Sequence, residues 1–389
     1  MPRTTGRYET TVAGGESVHA FVPDPLPPRD PPLDLGRLDA RLRAAEQGIA
    51  RLEVAGAMVP SLEWFIYAFV RKEAVITSQI EGTQATLEDL LNYETTPPGA
   101  DASRPTPDVE EVRNYVDALA FAREQLVNPV APPLSMRLLN GTHERLMRGV
   151  RGASKRLGEV RRTQNWIGGS RPGNAAFVPP PPNVLPEGLL ALERYIHTDD
   201  GLPPLVRAGL LHVQFETLHP YLDGNGRIGR LLISLLLEHW RVLTRPLLYL
   251  SLFFKRHRAE YYRRLAMVRV EGDWEGWLDF FLDGIATIAD EAVATARDLF
   301  RLVASDRERL LAAPDTALAA VRLFELLPTN PIVTSSSVMR LLTTSRPTAN
   351  RAIETLAATG VLVETTGKRR DRVFAYDAYI RRLREGTEL

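Results

Sequence analysis

The stretch His219-Pro220-Tyr221-Leu222-Asp223-Gly224-Asn225-Gly226-Arg227-Ile228-Gly229-Arg230 decides how the rest of the chain is read. It lies between two apolar runs of helical spacing, residues 205–218 and 228–240, so it reads as a loop opening directly into the N-terminus of a buried helix. That position suits an anion, because unpaired backbone N–H groups and the helix dipole both face the loop. Gly224 and Gly226 can take positive φ and let successive N–H groups converge into a phosphate nest. Arg227 and Arg230 stand three apart on the first turn, so both guanidinium forks can reach further phosphate oxygens. Asp223 is a hard oxygen ligand, and magnesium is commonly held by one or two carboxylates together with substrate phosphates. His219, with an ordinary pKa near neutrality, fits a general base that takes a proton from an attacking hydroxyl.

The same residues resemble the signature of the Fic family, His-Pro-Phe-x-Asp/Glu-Gly-Asn-Gly-Arg-x-x-Arg, at every position except Tyr221, where the family usually has Phe. The bland alternative is a helix-capping Asp-Gly-Asn-Gly turn beside a structural histidine. The resemblance implies transfer of AMP from ATP to a protein hydroxyl. It makes His219 the base, Asp223 the Mg2+ ligand, and Gly224, Asn225, Gly226 and Arg227 the phosphate-binding loop. Arg230 becomes the partner of the γ-phosphate. Doc-like phosphotransferases are the nearest rival, and they carry Lys where this chain has Gly226.

A chain of 389 residues predicts two or three domains. Zero cysteine excludes disulfides, cysteine nucleophiles and thiolate zinc sites. A formal net charge of zero argues against a polyanion binder over the whole chain. No signal core and no membrane-length apolar run are present, so a soluble cytoplasmic protein is expected.

Residues 1–32 are rich in Pro, Gly and Thr; residues 22–28 are expected to be extended or polyproline-like, with a short strand before them, as part of an N-terminal extended arm. A helix is predicted over residues 33–58, stopped by Pro60. Another runs over residues 62–80 and ends at Gly82, a natural position just past a helix. Between it and the next helix sits Thr77-Ser78-Gln79-Ile80-Glu81-Gly82, which on its own is a helical-hairpin turn. It resembles the Fic inhibitory motif Ser/Thr-x-x-x-Glu-Gly/Asn, which implies that Glu81 forms a two-point pair with Arg230 and keeps it from the γ-phosphate. A loop over residues 92–107 leads to further helices near 108–126 and 134–147, where His143 reads as a satisfied core or surface residue rather than a ligand.

Two β-prone runs, residues 160–167 and 175–178, flank a Gly-Gly-Ser-Arg-Pro-Gly-Asn turn and predict a hairpin. By resemblance this is the flap that aligns the target, with Ile167, Gly168, Gly169 and Phe177 at its edge; otherwise it is a surface loop. His212 is assigned to packing. The pair Tyr261-Tyr262 offers aromatic faces that can flank an adenine, with core packing as the competing reading. Trp274 and Trp277 are expected to anchor a long closing helix over residues 278–312.

The pattern changes at Pro314 and Asp315. Helices near 317–326, 334–342 and 345–358, then two β-runs around the basic segment Gly367-Lys368-Arg369-Arg370-Asp371-Arg372, read as a winged helix-turn-helix. From residue 316 onward there are eleven Lys/Arg against seven Asp/Glu, a mild basic excess.

The expected fold class is therefore mainly α: a Fic-type helical bundle with a small β-hairpin flap, plus a C-terminal winged helix-turn-helix domain. Residues 1–100 form the arm and inhibitory helices, 101–313 the catalytic domain and 314–389 the winged domain. The leading function is an autoinhibited protein adenylyltransferase using ATP and Mg2+, acting on a protein target with a modifiable hydroxyl. DNA through residues 334–376 and a second copy of the chain are further candidate partners. The alternative class is a nucleotide-responsive, DNA-binding transcription regulator.

Overall fold

A computed structural model describes residues 3–58, 62–95, 106–128, 130, 133–149, 156–314 and 316–389. The expected stop at Pro60, the 96–105 part of the expected loop, and Asp315 lie outside the described residues. Strands β1 (Gly6–Ala13) and β2 (Glu16–Pro23) pair antiparallel, from Gly6↔Pro23 to Ala13↔Glu16. They turn on Gly14 and Gly15, both at positive φ, as a two-residue hairpin turn requires. The arm expected to be extended is thus mostly a hairpin.

The bundle follows. Helix α1 (Leu35–Met58) lies along a much later helix, and α2 (Leu62–Ile80) carries the Thr77 motif at its end. Helix α3 (Leu87–Thr95) precedes α4 (Pro107–Val127), which Thr106 caps by accepting from Val109 N, and α5 (Met136–Leu146) packs on α4. After α6 (Leu185–His197) come the two central helices, α7 (Pro204–Leu218) and α8 (Asn225–His239). From Leu205 to Leu218, α7 buries every residue except Glu216, so it can only be an interior helix. Short α9 (Ser251–Arg256) and α10 (Arg258–Glu271) lead into the 39-residue α11 (Trp274–Ala312), against which α1 packs. Gly48 of α1 faces Ala289 so closely that a Cβ there would stand 3.1 Å from the alanine methyl.

Trp274 and Trp277 are buried as expected, and the Trp277 indole N–H donates to the Gly209 carbonyl on α7 at 2.9 Å. That bond satisfies the one polar atom of a large apolar ring in the core.

The last part runs α12 (Leu318–Leu326), β3 (Ile332–Thr334), α13 (Ser335–Leu342), α14 (Arg346–Ala358), β4 (Val363–Glu364), β5 (Val373–Ala375) and α15 (Asp377–Arg384). The strands form one antiparallel sheet in the order β3-β5-β4. Strand β3 and helix α15 were not expected from the sequence. The apolar core continues from the bundle into this part without a break, and Thr95 Oγ1 at the end of α3 donates to the Ile332 carbonyl of β3.

Trp277→Ala is expected to cost about 3–5 kcal/mol of unfolding free energy, measured by urea denaturation, because it leaves both a cavity and an unpaired carbonyl.

Candidate active site

Pro220 ends α7, and His219 caps it with φ 48° and ψ 61°, a left-handed conformation uncommon for a residue with a side chain. Arg161, 2% exposed, secures this turn from outside the loop. Its Nε donates to the His219 carbonyl at 2.9 Å, its terminal nitrogen to the Pro180 carbonyl at 2.6 Å, and its backbone N–H to the Pro220 carbonyl at 2.9 Å. Within the loop, Asn225 Oδ1 accepts from Tyr221 N and Asn225 Nδ2 donates to Tyr221 O, both at 2.8 Å. Tyr221 is buried, and its hydroxyl donates to Asn140 Oδ1 at 2.8 Å, so the oxygen that distinguishes it from Phe is satisfied.

His143 is a satisfied buried residue, as expected, and it also orders the loop. Its Nδ1 accepts from Gly158 N and its Nε2 donates to the Asp223 carbonyl, both at 3.0 Å, while the ring stacks on Tyr221. Its sequence neighbours carry no sign of this, because Gly158 and Asp223 are distant in the chain. His212 packs as expected: it is fully buried, with Nδ1 donating to the Gly229 carbonyl and Nε2 accepting from the Tyr261 hydroxyl.

Burial, and then the nearby Arg161 charge, push His219 down to about 4, so its imidazole is neutral at physiological pH. Three positions earlier, Glu216 is pushed up to about 7 by burial, against the pull of Arg230, and its Oε1 has no hydrogen-bond partner among the described residues. Glu216 was not among the expected site residues. The sequence does not set it apart from Arg207, His212, Gln214 and Thr217, the other polar residues of the same helix.

Arg230 is 2% exposed and meets the Thr77 motif directly. Its Nε donates to Thr77 Oγ1 at 2.7 Å, and one terminal nitrogen donates to the Thr77 carbonyl at 3.0 Å and to Glu81 Oε1 at 2.5 Å. The expected two-point carboxylate pair is therefore a one-point contact, with Thr77 supplying the rest. Burial raises the Glu81 carboxyl, but Arg230 outweighs it and leaves Glu81 below its usual value. Gly82 follows with φ 99°, which reverses the chain after the glutamate.

The two loop glycines have different reasons. Gly224 has φ 76° and starts α8 from the left-handed region, whereas Gly226 is helical and needs no positive φ. A Cβ at Gly226 would stand 2.3 Å from Glu81 Oε1, so glycine there leaves room for the carboxylate over the helix N-terminus. The two arginines also diverge. Arg227 pairs with Glu111 of α4 at 3.2 Å and touches Met147 Sδ, so it braces α4 against α8 instead of joining Arg230. Glu111 also accepts from Thr83 Oγ1 just past the motif.

Asp223 Oδ1 accepts from Gly224 N at 2.7 Å, which holds its carboxylate beside the helix start. Among the described residues no cluster of three or more His, Asp or Glu makes a protein-only metal cage. One fixed carboxylate is the donor set expected where phosphate oxygens and water complete the shell.

The flap departs from expectation. Instead of a hairpin there is one bridge, Ile167↔Phe177, with Gly168 and Gly169 at positive φ and a 3-10 turn at Pro172–Asn174. Arg161 commits the first run to the His219 turn, and the Val178 carbonyl accepts from Phe21 N of β2, so few groups remain for a second ladder. Tyr261 lies in the core, 1% exposed and bonded to His212, and cannot flank a ligand. Tyr262, 42% exposed, stands within the fields of Glu81 and Arg230.

Residues 40–124 match the family model described as Fic/DOC family N-terminal, and residues 133–237 match that of the Fic/DOC family. The protein adenylyltransferase Fic of Drosophila grimshawi is 34% identical over 128 residues, 32% of this chain and 24% of that protein. A probable protein adenylyltransferase of Aquifex aeolicus is 35% identical over 63 residues, 16% of this chain and 20% of that protein. The match thus spans about a quarter or less of these relatives. A solved Fic family protein from Desulfovibrio desulfuricans has TM-score 0.56 at 20% identity, covering 87% of this chain and 95% of that one. A Fic domain containing signaling protein from Bacteroides thetaiotaomicron has TM-score 0.52 at 18% identity, covering 66% and 97%. These two likenesses establish the fold.

A proton NMR titration is expected to show His219 neutral down to about pH 4, with no inflection near the ordinary histidine value. Because its folded pKa is depressed, the stability it contributes is present above about pH 6.5 and is lost as pH falls toward 4.

Proposed function

We propose, from the matches of residues 40–124 and 133–237 to Fic/DOC family models, that this chain transfers AMP from ATP to a Tyr, Thr or Ser hydroxyl of a target protein and of itself, with Glu81 holding the site inactive. The observation that carries this reading is the Arg230–Glu81 contact above Gly226, a carboxylate seated where an anionic group of the substrate would bind. Neutral His219 takes the proton of the target hydroxyl. That oxygen forms a bond to the α-phosphorus as the bond from this phosphorus to the bridging oxygen breaks, and diphosphate leaves. Backbone N–H groups at the start of α8, together with Arg230, face the charge on the phosphates. A magnesium ion held by Asp223 and phosphate oxygens would supply further neutralisation of that charge. The flap edge at Ile167, Gly168 and Gly169 offers backbone groups to an extended target segment.

Glu81→Gly is expected to raise AMP incorporation from α-labelled ATP into the protein itself by at least about tenfold, because Arg230 loses its competitor. Adding His219→Ala should lower that rate by about 10²–10⁴. Label appearing from γ-labelled ATP instead would move the reading to a Doc-like phosphotransferase, and unchanged labelling in Glu81→Gly would remove autoinhibition from it.

A second reading concerns residues 314–389, whose order of helices and strands fits a winged helix-turn-helix. Arg346 and Arg351 on α14 and Lys368, Arg369 and Arg370 between β4 and β5 are exposed, and none makes an ion pair among the described residues. Arg346, Arg369, Arg370 and Arg372 line a groove with Ser335, Asn350, Glu354 and Asp371, a net-basic lining that fits duplex DNA. Fluorescence anisotropy with a duplex should show affinity falling with salt at a slope near −0.9 per phosphate contact. The triple variant Arg346→Ala/Arg369→Ala/Arg370→Ala should flatten that slope by about two to three. Binding that ignores salt would make this part a protein-docking module.

A further inference from the structure

Gln79 sits midway between Thr77 and Glu81 on the last turn of α2, and its side chain turns to a different part of the chain. Its Nε2 donates to the Thr387 carbonyl at 2.9 Å and to the Ala85 carbonyl at 3.1 Å, and its Oε1 accepts from Lys255 Nζ at 2.7 Å. Lys255 Nζ also donates to the Glu388 carbonyl. Both ends of the Gln79 amide are therefore used, which fixes its orientation.

Residues 384–388 are themselves held in place. Thr387 is 2% exposed, and its N and Oγ1 donate to the Arg384 carbonyl at 2.8 and 2.7 Å. Gly386 has φ 84° and lies so near Leu252 of α9 that a Cβ would stand 2.8 Å from a leucine methyl. Arg384 pairs with Glu88 of α3 at 2.6 Å, and α15 buries Tyr379, Ile380 and Leu383. The turn that carries Glu81 is thus bonded on one side to Arg230 through Thr77, and on the other to residues 384–388 through Gln79.

We propose that residues 384–388 latch the end of α2 and that Gln79 is a positioning residue for Glu81, so that the C-terminal part of the fold sets how tightly the active site is held shut. The inference rests on the reading of Glu81 as inhibitor. Glu81 lies one residue past the helical end at Ile80, where backbone hydrogen bonding is weakest and helices fray. A carboxylate on a frayed turn loses to a triphosphate, because it must be ordered again on each return to Arg230. The bonds through Gln79 and Lys255 remove that disorder beforehand.

The experiment measures self-labelling from α-labelled ATP, together with amide hydrogen exchange over residues 78–83, in the full chain. Wild type is compared with Gln79→Ala, Lys255→Met, Glu81→Gly and Gln79→Ala/Glu81→Gly. Gln79→Ala is expected to raise labelling about fivefold, below the level of Glu81→Gly, and to speed exchange of residues 78–83 by a similar factor. Lys255→Met should act in the same direction, which guards against a misfolded single variant. The double variant should label no faster than Glu81→Gly alone, since a latch has nothing to position once the glutamate is gone. Wild-type labelling and exchange in Gln79→Ala and Lys255→Met, beside a raised Glu81→Gly, would overturn the latch. So would a double variant that labels faster than Glu81→Gly. If Glu81→Gly itself does not rise, the inhibitory reading fails, and the exchange measurement alone decides whether residues 384–388 order the turn.

Discussion

The buried charge of Arg230 is the constraint around which the molecule is arranged. A guanidinium with 2% of its side chain exposed, at the start of the central helix α8, has lost its water and must be repaid by fixed acceptors. Burial alone would lower its pKa, and Glu81 more than reverses that effect. The acceptors come from the last turn of α2 and from Glu81 just past it, so this charge ties the end of α2 to α8. Glu73, one turn before Thr77 on the same helix, lines a small cavity with Arg230, and burial pushes its carboxyl up to about 7. A ligand that took Arg230 from Glu81 would have to bring its own negative charge, which is the physical sense of an anion site with an internal occupant.

Burial is used differently for the histidines. His143, His212 and His219 are all pushed well below the ordinary value, first by loss of solvent. His143 and His212 use both ring nitrogens to tie segments together: Gly158 to Asp223 in one case, and Gly229 to Tyr261 in the other. His219 has a buried Nδ1 with no hydrogen bond to another side chain, near the Glu216 backbone, and its backbone carbonyl is held by Arg161.

Much of this was legible in the primary structure. The loop between α7 and α8, the end of α2 at Gly82 and the burial of Trp274 and Trp277 follow from helical spacing and from glycine and proline, which act locally. The β1–β2 hairpin was equally legible, since Gly14-Gly15 separates two runs rich in Thr, Val and Phe, but the prolines that follow drew the reading toward an extended arm. The flap was over-read. Its residues have strand propensity, yet Arg161 and Val178 give their hydrogen bonds to the His219 turn and to β2, and propensity cannot anticipate such competition.

By itself the sequence singled out His219, Asp223, Arg230 and Glu81 as the residues to examine, each placed on or beside a helix end by its neighbours. Only the tertiary structure decided their partners. It sent Arg227 to Glu111 and Arg230 to Thr77 and Glu81, withdrew Tyr261 into the core, and brought Thr387 to Gln79 across 308 positions. The reason is physical. Periodicity and turn chemistry depend on residues a few positions apart, whereas the partner of a buried charge is whichever acceptor the packing of separate helices brings within about 3 Å.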